Sequence, residues 1–335
     1  MNDLEFNFSE IINMIEERRK NAYKKVNEEL ISLYWDFGKY ISEKVNDSNW
    51  GDKIVDKLVE FMKREYPTMR GFNKRGIYRM KQFYETYKDF PFVSPLVTQI
   101  SWTNNLLILS GTNSIEEKEF YIKMCIKNNY SKRELDRQIS SGYFHRYMLS
   151  DGKVNQSLSK TMGEEDYPNT KILDTYSLEF LDLPNNYSEK DLKKAIISNM
   201  RDFILEIGND FSFVGEEYKV QVGNEDFYID LLFYNRTLSC LVAFELKIGK
   251  FKPEYISKMD FYLEALDRQE KKKNENPSVG VILCASKDVQ VVEYAMSRSM
   301  SPTMVSQYTL KLIDKKLLEN KLKEITNIVE ENNNK

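Results

Sequence analysis

The sequence predicts an α-helical N-terminal domain followed by an α/β domain with a mixed central sheet. Apolar residues recur at three- and four-residue spacing through residues 11–41 and again through 51–66, which is the pattern of amphipathic helices. Beyond residue 187, helical segments alternate with short apolar runs, which is typical of α/β proteins. The length of 335 residues allows two domains, each with its own core.

Local signals support the helical half. Two capping boxes, Ser114-x-x-Glu117 and Ser131-x-x-Glu134, each predict the start of a helix. No stretch of residues 1–150 favours a strand.

Residues 61–87 concentrate basic and aromatic side chains. Pro67 and Gly71 separate two helical stretches, and Asn73 can cap the second one. A helix, a turn and a basic helix are what a helix-turn-helix module presents to DNA. The alternative is a solvated basic face on a helical bundle, because most charge runs are only surface. The candidate nucleic-acid contacts in this segment are Arg70, Lys74, Arg75, Arg79 and Lys81.

The second half has a clear element order. Residues 151–187 are polar and lack apolar periodicity, which predicts a linker between a helical domain at 1–150 and an α/β domain at 188–330. A helix is predicted at 188–208 and another from Pro253, which suits a first helical turn. The predicted strands are SFVGEEYKVQV, DFYIDLLFY, CLVAFELKI, SVGVILCAS and VSQYTLKL, with a short helix at DVQVVEYAM before the last of them.

Composition excludes several kinds of chemistry. His145 is the only histidine, which argues against Ser-His-Asp hydrolysis and against histidine-rich metal sites. Neither GxxxxGK[ST] nor GxGxxG occurs, and the three cysteines form no CxxC motif. The net charge of −3 gives no global signal for nucleic acid. Chemistry is therefore expected from carboxylates and lysines.

The expected setting is the reducing cytoplasm, with no membrane partner. No apolar run approaches the roughly 18 residues of a bilayer span, and the first ten residues lack a signal-peptide pattern. The long amphipathic helix at 11–41 permits self-association through the N-terminal helices.

Charged residues interrupt two strand-like runs that flank Asn-Arg-Thr at 235–237. Side chains alternate along a strand, so Glu245 and Lys247 share a face, and an antiparallel hairpin would bring Asp230 beside them. Two carboxylates on adjacent strands suit Mg²⁺, and a neighbouring lysine can stabilise charge on a phosphate. The alternative is a buried Asp230–Lys247 ion pair, although removing such charges from water is costly.

The pattern Asp230…Glu245-Leu246-Lys247 resembles the PD-(D/E)XK nuclease superfamily, and nearly the whole chain resembles the YhcG-like bacterial proteins. The segments that carry the resemblance are FSFVG (211–215), DFYIDLLFY (226–234), ELKIGKFKPEY (245–255), FYLEALD (261–267), GFNKRGIYRMKQFYETY (71–87) and QISW (99–102). The resemblance implies a restriction-endonuclease-like α/β domain that hydrolyses phosphodiester bonds. The sequence has no RNP-like aromatic strand and no KH loop, which favours DNA as the substrate, with an RNA-directed enzyme as the alternative. It also implies an N-terminal helical domain that binds nucleic acid or a partner.

The resemblance implies roles for the residues of the motif. Asp230 and Glu245 would be ligands of Mg²⁺ or Mn²⁺, with the Leu246 backbone carbonyl as a third ligand. Lys247 would be the catalytic lysine, and Lys250 and Lys252 would either hold flanking phosphates or form a solvated loop.

Two helices are also implicated by the resemblance. Many relatives carry Gln-x-x-x-Tyr on the helix after the motif, and the matching positions here are Lys258 and Tyr262. Relatives also often place a glutamate on the first helix, for which Glu206 is the candidate, with Glu189 or no residue as alternatives. A catalytically inactive nucleic-acid-binding or scaffold protein on the same fold is the alternative function, and the intact motif favours an active nuclease.

Overall fold

The computed structural model describes residues 3–46, 52–150, 172–297, 299 and 301–323. The chain divides into two compact units, Met1–Ile139 and Ser140–Lys335. Across the described ranges, no helix is both long enough and apolar enough to cross a bilayer.

The first unit is built from helices, as predicted. They are α1 (Asp3–Asn46), α2 (Asp52–Glu65), α3 (Lys74–Tyr87), α4 (Ser94–Val97), α5 (Trp102–Gly111), α6 (Ile115–Asn128) and α7 (Lys132–Ser140). Helices α1 and α3 pack with their backbones in close approach, because a Cβ atom at Gly38 would lie 2.1 Å from the Met80 carbonyl oxygen. Glycine is therefore required at this crossing.

The two predicted capping boxes differ in detail. Ser131 and Glu134 exchange both bonds, with Glu134 N donating to Ser131 Oγ at 3.4 Å and Ser131 N to Glu134 Oε2 at 2.8 Å. Ser114 accepts from Glu117 N at 3.2 Å, but Glu117 Oε2 accepts from the N–H of Asn113 instead of that of Ser114. Both helices start where the capping signals predict.

The second unit is a mixed α/β domain. Its elements are α8 (Tyr143–Leu149), β1 (Thr175–Ser177), α9 (Glu189–Ser198), α10 (Met200–Ile207), β2 (Phe211–Val222), β3 (Glu225–Asn235), β4 (Cys240–Lys250), α11 (Glu254–Gln269), β5 (Val279–Ser286), α12 (Val289–Met296) and β6 (Thr303–Thr309). Residues 315–323 are also helical. The strand order is β1-β6-β5-β4-β3-β2, with β2–β3 and β3–β4 antiparallel and the other pairs parallel.

Two sequence expectations need correction. The expected linker at 151–187 contains β1, which pairs with β6 through Thr175 and Gln307, so the sheet domain begins earlier than residue 188. Residues 151–171 of that linker lie outside the described residues. The helix expected at 188–208 is two helices, because the backbone of Asn199 leaves helical geometry at φ −115° and ψ 32°.

The β3–β4 hairpin forms the centre of the domain. Leu238 N donates to Asn235 Oδ1 at 2.9 Å, which closes the turn between the strands. Leu232 and Ala243 on one face of the hairpin lie in a buried apolar cluster with Met259 of α11. This packing fixes α11 beside the end of β4, where the charged residues emerge.

Candidate active site

The hairpin brings Asp230 to the Glu245-Leu246-Lys247 segment. Strand pairing between β3 and β4 runs from Asn235–Cys240 to Leu231–Phe244, so Asp230 comes next, opposite Glu245. At this position the acceptor is the Asp230 side chain, whose Oδ2 accepts a hydrogen bond from the Leu246 backbone N–H at 2.9 Å. The expected hairpin is present, and the catalytic roles of its residues stay predictions.

Glu245 is the most enclosed of these carboxylates, with 1% of its surface exposed. Its Oε1 receives two ammonium groups, Lys247 Nζ at 2.9 Å and Lys258 Nζ at 2.6 Å. Its Oε2 is buried and has no hydrogen-bond partner among the described residues. A buried carboxylate oxygen without a donor is costly unless a cation or another donor satisfies it.

Lys247 bridges β4 and the start of α9. Its Nζ lies 3.2 Å from Glu189 Oε2 as well as next to Glu245, and 5.4 Å from the centre of the Tyr255 ring. Burial acts to lower the pKa of Lys247, but hydrogen bonds and charge from Glu245 and Glu189 outweigh it and raise that pKa. The ammonium is therefore charged throughout the neutral range.

Lys258 and Tyr262 reach the site from α11. Burial acts to lower the pKa of Lys258, but its hydrogen bond to Glu245 and the charge of Glu245 raise it overall. Tyr262 donates its hydroxyl to the Tyr228 carbonyl at 2.7 Å and so ties α11 to β3. Burial raises the pKa of Tyr262, so this hydroxyl keeps its proton.

Lys193 and Glu217 belong to the site and were missed by sequence reasoning. Lys193 Nζ lies 2.7 Å from Glu217 Oε1 and 3.5 Å from Asp230 Oδ1. A weak signal exists, because Lys193 follows Glu189 by four residues and so shares its helix face. No sequence pattern places Glu217 of β2 beside Asp230, because that depends on strand register.

Glu206 does not join these side chains. Its carboxylate forms a buried ion pair with Arg146, and its Oε1 also accepts from Ser177 N at 2.7 Å. Ser177 lies on β1, an edge strand, whereas Glu245 lies on β4 in the interior of the sheet. Of the expected helix carboxylates, Glu189 is the one that contacts the motif, through Lys247.

The donor set fits a hard divalent cation. Asp230 and Glu245 supply carboxylate oxygens from adjacent strands, and the buried Glu245 Oε2 lacks a protein donor within the described ranges. The described residues contain no group of three or more histidine, cysteine, aspartate or glutamate side chains placed to hold a metal. A cation here would therefore rely on a backbone carbonyl, water or substrate oxygens as well, as Mg²⁺ often does.

The basic residues of the first unit differ in how they are paired. Lys74 Nζ lies 2.8 Å from Asp56 Oδ1 and Lys81 Nζ lies 3.2 Å from Glu85 Oε1. The remaining candidate nucleic-acid contacts of this segment are Arg70, Arg75 and Arg79. They form no ion pair within the described part of the chain.

The connection between α2 and α3 runs from residue 66 to 73 and is longer than the three or four residues of a helix-turn-helix turn. Asn73 caps α3 as expected, accepting from Gly76 N at 2.9 Å. Beyond the motif, Lys250 and Lys252 are exposed, with Asp288 at 3.9 Å from the first and Glu254 at 3.7 Å from the second.

Two family models match this chain. Residues 169–323 match the YhcG PDDEXK nuclease domain, and residues 10–146 match the DUF1016 N-terminal domain. Both halves of the chain therefore resemble YhcG-like proteins, the second through its nuclease domain. A relative from Escherichia coli (strain K12), named "Putative nuclease YhcG", is 28% identical over 355 residues, which cover 96% of this chain and 94% of the relative. The resemblance drawn from the sequence is confirmed.

Solved structures give weaker similarities to this YhcG-like protein. A crystal structure of a repair endonuclease from Pyrococcus abyssi is 14% identical with a TM-score of 0.26, covering 39% of this chain and 50% of that one. An EndoMS–dsDNA2 complex is 16% identical with a TM-score of 0.26, covering 40% of this chain and 48% of that one. Such TM-scores do not establish a common fold, so the restriction-endonuclease-like assignment depends on the nuclease domain match and the mixed sheet.

Proposed function

We propose that this chain is a divalent-metal-dependent nuclease that hydrolyses phosphodiester bonds in DNA. The observation that supports it most is the meeting of Asp230 and Glu245 at the end of the β3–β4 hairpin, beside the ammonium of Lys247. The buried Glu245 Oε2, which has no donor among the described residues, also supports it, because a cation would satisfy that oxygen.

Asp230, Glu245 and the Leu246 carbonyl would hold Mg²⁺ or Mn²⁺, which when bound polarises a phosphate and lowers the pKa of a water. Both carboxylates are held in place, since Asp230 Oδ2 accepts from the Leu246 N–H and Glu245 Oε1 contacts two lysines. Preorganised charge does not have to reorient during the reaction.

Lys247 acts as a cation and hydrogen-bond donor in this proposal. Its raised pKa keeps the ammonium protonated at neutral pH, so it suits the stabilisation of developing negative charge on a phosphate oxygen. A protonated lysine is a poor general base, because it has no lone pair to accept a proton. Glu189 orients the ammonium from the opposite side.

Lys258, Lys250 and Lys252 extend the positive charge around the motif. Lys258 is half exposed and contacts Glu245, while the other two lie on the solvent-facing end of β4 and the residues that follow. Exposed ammonium groups can contact flanking phosphates as point charges. Tyr262 would support the site by anchoring α11 to β3.

The first unit would contribute nucleic-acid binding. Arg70, Arg75 and Arg79 form no ion pair among the described residues, so a phosphate would not have to displace a carboxylate partner. Lys74 and Lys81 already contact acidic side chains and would contribute less. This charge distribution favours the arginines as the main contacts.

The test is cleavage of a labelled panel of duplex, flap, branched and single-stranded DNA, with matched RNA, in the presence of Mg²⁺ or Mn²⁺ and then EDTA. We expect Asp230→Asn, Glu245→Gln and Lys247→Met to abolish a metal-dependent cleavage that the wild type shows. Asp226→Asn is the matched control, because Asp226 lies on the same strand and pairs with Lys219 at 2.7 Å. It should retain wild-type cleavage.

Other outcomes would contradict the proposal in different ways. Cleavage that survives in all three site variants would refute the site, and cleavage of RNA alone would refute the substrate. Tight DNA binding by a wild-type protein that cuts nothing on the panel would favour the inactive binding protein instead.

A further inference from the structure

Lys193 of α9 lies between two carboxylates of the sheet. Its Nζ is 2.7 Å from Glu217 Oε1 and 3.5 Å from Asp230 Oδ1, and only 15% of its side chain is exposed. The other Asp230 oxygen accepts from the Leu246 N–H. The ammonium is therefore next to the Asp230 oxygen that the backbone does not use.

Glu217 has an unusual backbone for a strand residue. Its neighbours pair across β2 and β3 as Glu216–Leu231 and Tyr218–Ile229, so Glu217 lies opposite Asp230. Its φ of +44° is in the left-handed region, which a non-glycine residue adopts only when its surroundings fix it. Its carboxylate is 65% exposed and accepts from Lys193. The strained residue thus places a second acceptor beside the lysine.

The two distances are unequal, and this has a consequence for metal binding. Lys193 is held more closely by Glu217 than by Asp230. A flexible lysine stem allows its ammonium to leave Asp230 while keeping Glu217 as counter-ion. A divalent cation on Asp230 and an ammonium within 3.5 Å of the same oxygen would repel each other.

We propose that Lys193 is a positioning residue that neutralises Asp230 in the metal-free protein and transfers fully to Glu217 when a divalent cation binds. This inference rests on the proposed metal site at Asp230 and Glu245. Lys193 competes with the cation, and Glu217 weakens that competition by retaining the displaced ammonium. The two residues therefore have opposite effects on metal affinity.

The experiment titrates Mn²⁺ into the full chain without nucleic acid and measures free Mn²⁺ by electron paramagnetic resonance. Lys193→Met should bind Mn²⁺ roughly fivefold more tightly, the factor expected from removing one partly screened charge interaction. Glu217→Gln should bind more weakly, because Lys193 then settles on Asp230. The double variant should match Lys193→Met, because Glu217 acts only through the lysine. Lys219→Met, which removes an exposed ion pair with Asp226 across the same two strands, is the matched control and should leave the affinity unchanged.

Several outcomes would overturn the inference. Unchanged affinity in Lys193→Met contradicts it, and so does a double variant weaker than Lys193→Met, because Glu217 would then act on the cation directly. If circular dichroism shows that Lys193→Met is unfolded, Lys193→Gln replaces it in the same comparison. Glu217→Gln can be measured in either case, because the Glu217 side chain is exposed. A wild type that binds no Mn²⁺ overturns the proposed function together with this inference. A wild type whose binding is abolished by Asp230→Asn but unaffected by Lys193→Met overturns this inference alone.

Discussion

Arg146 and Glu206 form an ion pair in the interior of the sheet domain, with both side chains almost completely buried. Arg146 also donates to the Ser141 carbonyl at 3.0 Å and to the Thr175 carbonyl at 3.2 Å. The pair thus joins α8, the segment around β1 and α10. Because α8 lies in this network, the sheet domain depends on residues that precede its nuclease family match.

Loss of one partner of this pair should destabilise the domain. Arg146→Met leaves the Glu206 carboxylate buried without its cation, and we expect a loss of about 3–5 kcal/mol in the free energy of unfolding. Urea denaturation of the full chain, followed by circular dichroism, measures it. The double variant Arg146→Met with Glu206→Met should recover much of the loss, since no unpaired charge remains. Equal losses in the single and double variants would contradict this account. Lys219→Met, at an exposed pair, should cost at most about 1 kcal/mol.

Lys247 should titrate at higher pH than an ordinary lysine. Its pKa is raised by Glu245 and Glu189 against the effect of burial, so folding binds its proton more tightly. The resulting stabilisation is complete below the unfolded pKa of about 10.4 and is lost as pH rises through the higher folded value. Carbon-detected NMR of labelled lysines measures this pKa, with Lys247→Arg to assign the signal.

Glu245→Gln gives the corresponding control for Lys247. It removes the largest cause of the raised pKa and leaves burial, so the Lys247 pKa should fall, and the pKa of Lys258 should fall with it. The Lys219 signal should not move, because Lys219 pairs with Asp226 instead. A Lys247 pKa at the ordinary value in the wild type would show that Glu245 and Glu189 do not control this ammonium.

Substitution of basic residues on α3 should affect DNA binding differently according to whether the residue forms an ion pair among the described residues. Arg75→Gln and Arg79→Gln together should weaken DNA binding and reduce the slope of log affinity against log salt by about 2, one unit for each lost phosphate contact. Lys74→Gln should change the slope less, because Lys74 is already paired with Asp56 at 2.8 Å. Fluorescence anisotropy with labelled DNA at several salt concentrations, in EDTA to prevent cleavage, measures these slopes. An equal slope change for Lys74 and for the arginines would refute the distinction.

Gly38→Ala should weaken the helical unit. Alanine favours a helix over glycine by about 1 kcal/mol, but the added Cβ would lie 2.1 Å from the Met80 carbonyl oxygen. Backbone atoms cannot move aside as a side-chain end can, so we expect a net loss of about 1–3 kcal/mol in urea denaturation. Gly249→Ala, where no atom lies within 4 Å of the new Cβ, is the control and should be nearly neutral. A stabilised Gly38→Ala variant would contradict the close approach of α1 and α3.

Strong local patterns allowed much of this fold to be predicted. The alternating and apolar runs of β2 to β6 and the start of α11 after Pro253 are where the sequence indicates. The β1 strand escaped prediction, because three residues are too few to show an alternating pattern. The break at Asn199, which divides the expected 188–208 helix into two, was also not predicted, because the apolar spacing of the sequence continues across it.

The candidate site was predictable where it follows one hairpin and not where it depends on distant packing. Asp230, Glu245 and Lys247 come together because side chains alternate along two adjacent strands. Glu206 was expected there from the family resemblance, but Arg146, sixty residues earlier in the chain, forms an ion pair with it away from the motif. Lys193 and Glu217 meet through a β2 register that shifts between Phe213 and Gly215, which no short motif reveals.

The pairing of β1 with β6 has a consequence for synthesis on the ribosome. Thr175 and Gln307 are neighbours in the sheet although about 130 residues separate them in the chain. The β1 segment therefore emerges from the exit tunnel long before β6, its partner in the described sheet, has been made, while the β3–β4 hairpin can close as soon as it is made. The edge of the sheet is completed last, and a nascent chain stalled before β6 would carry the motif residues on an unfinished domain.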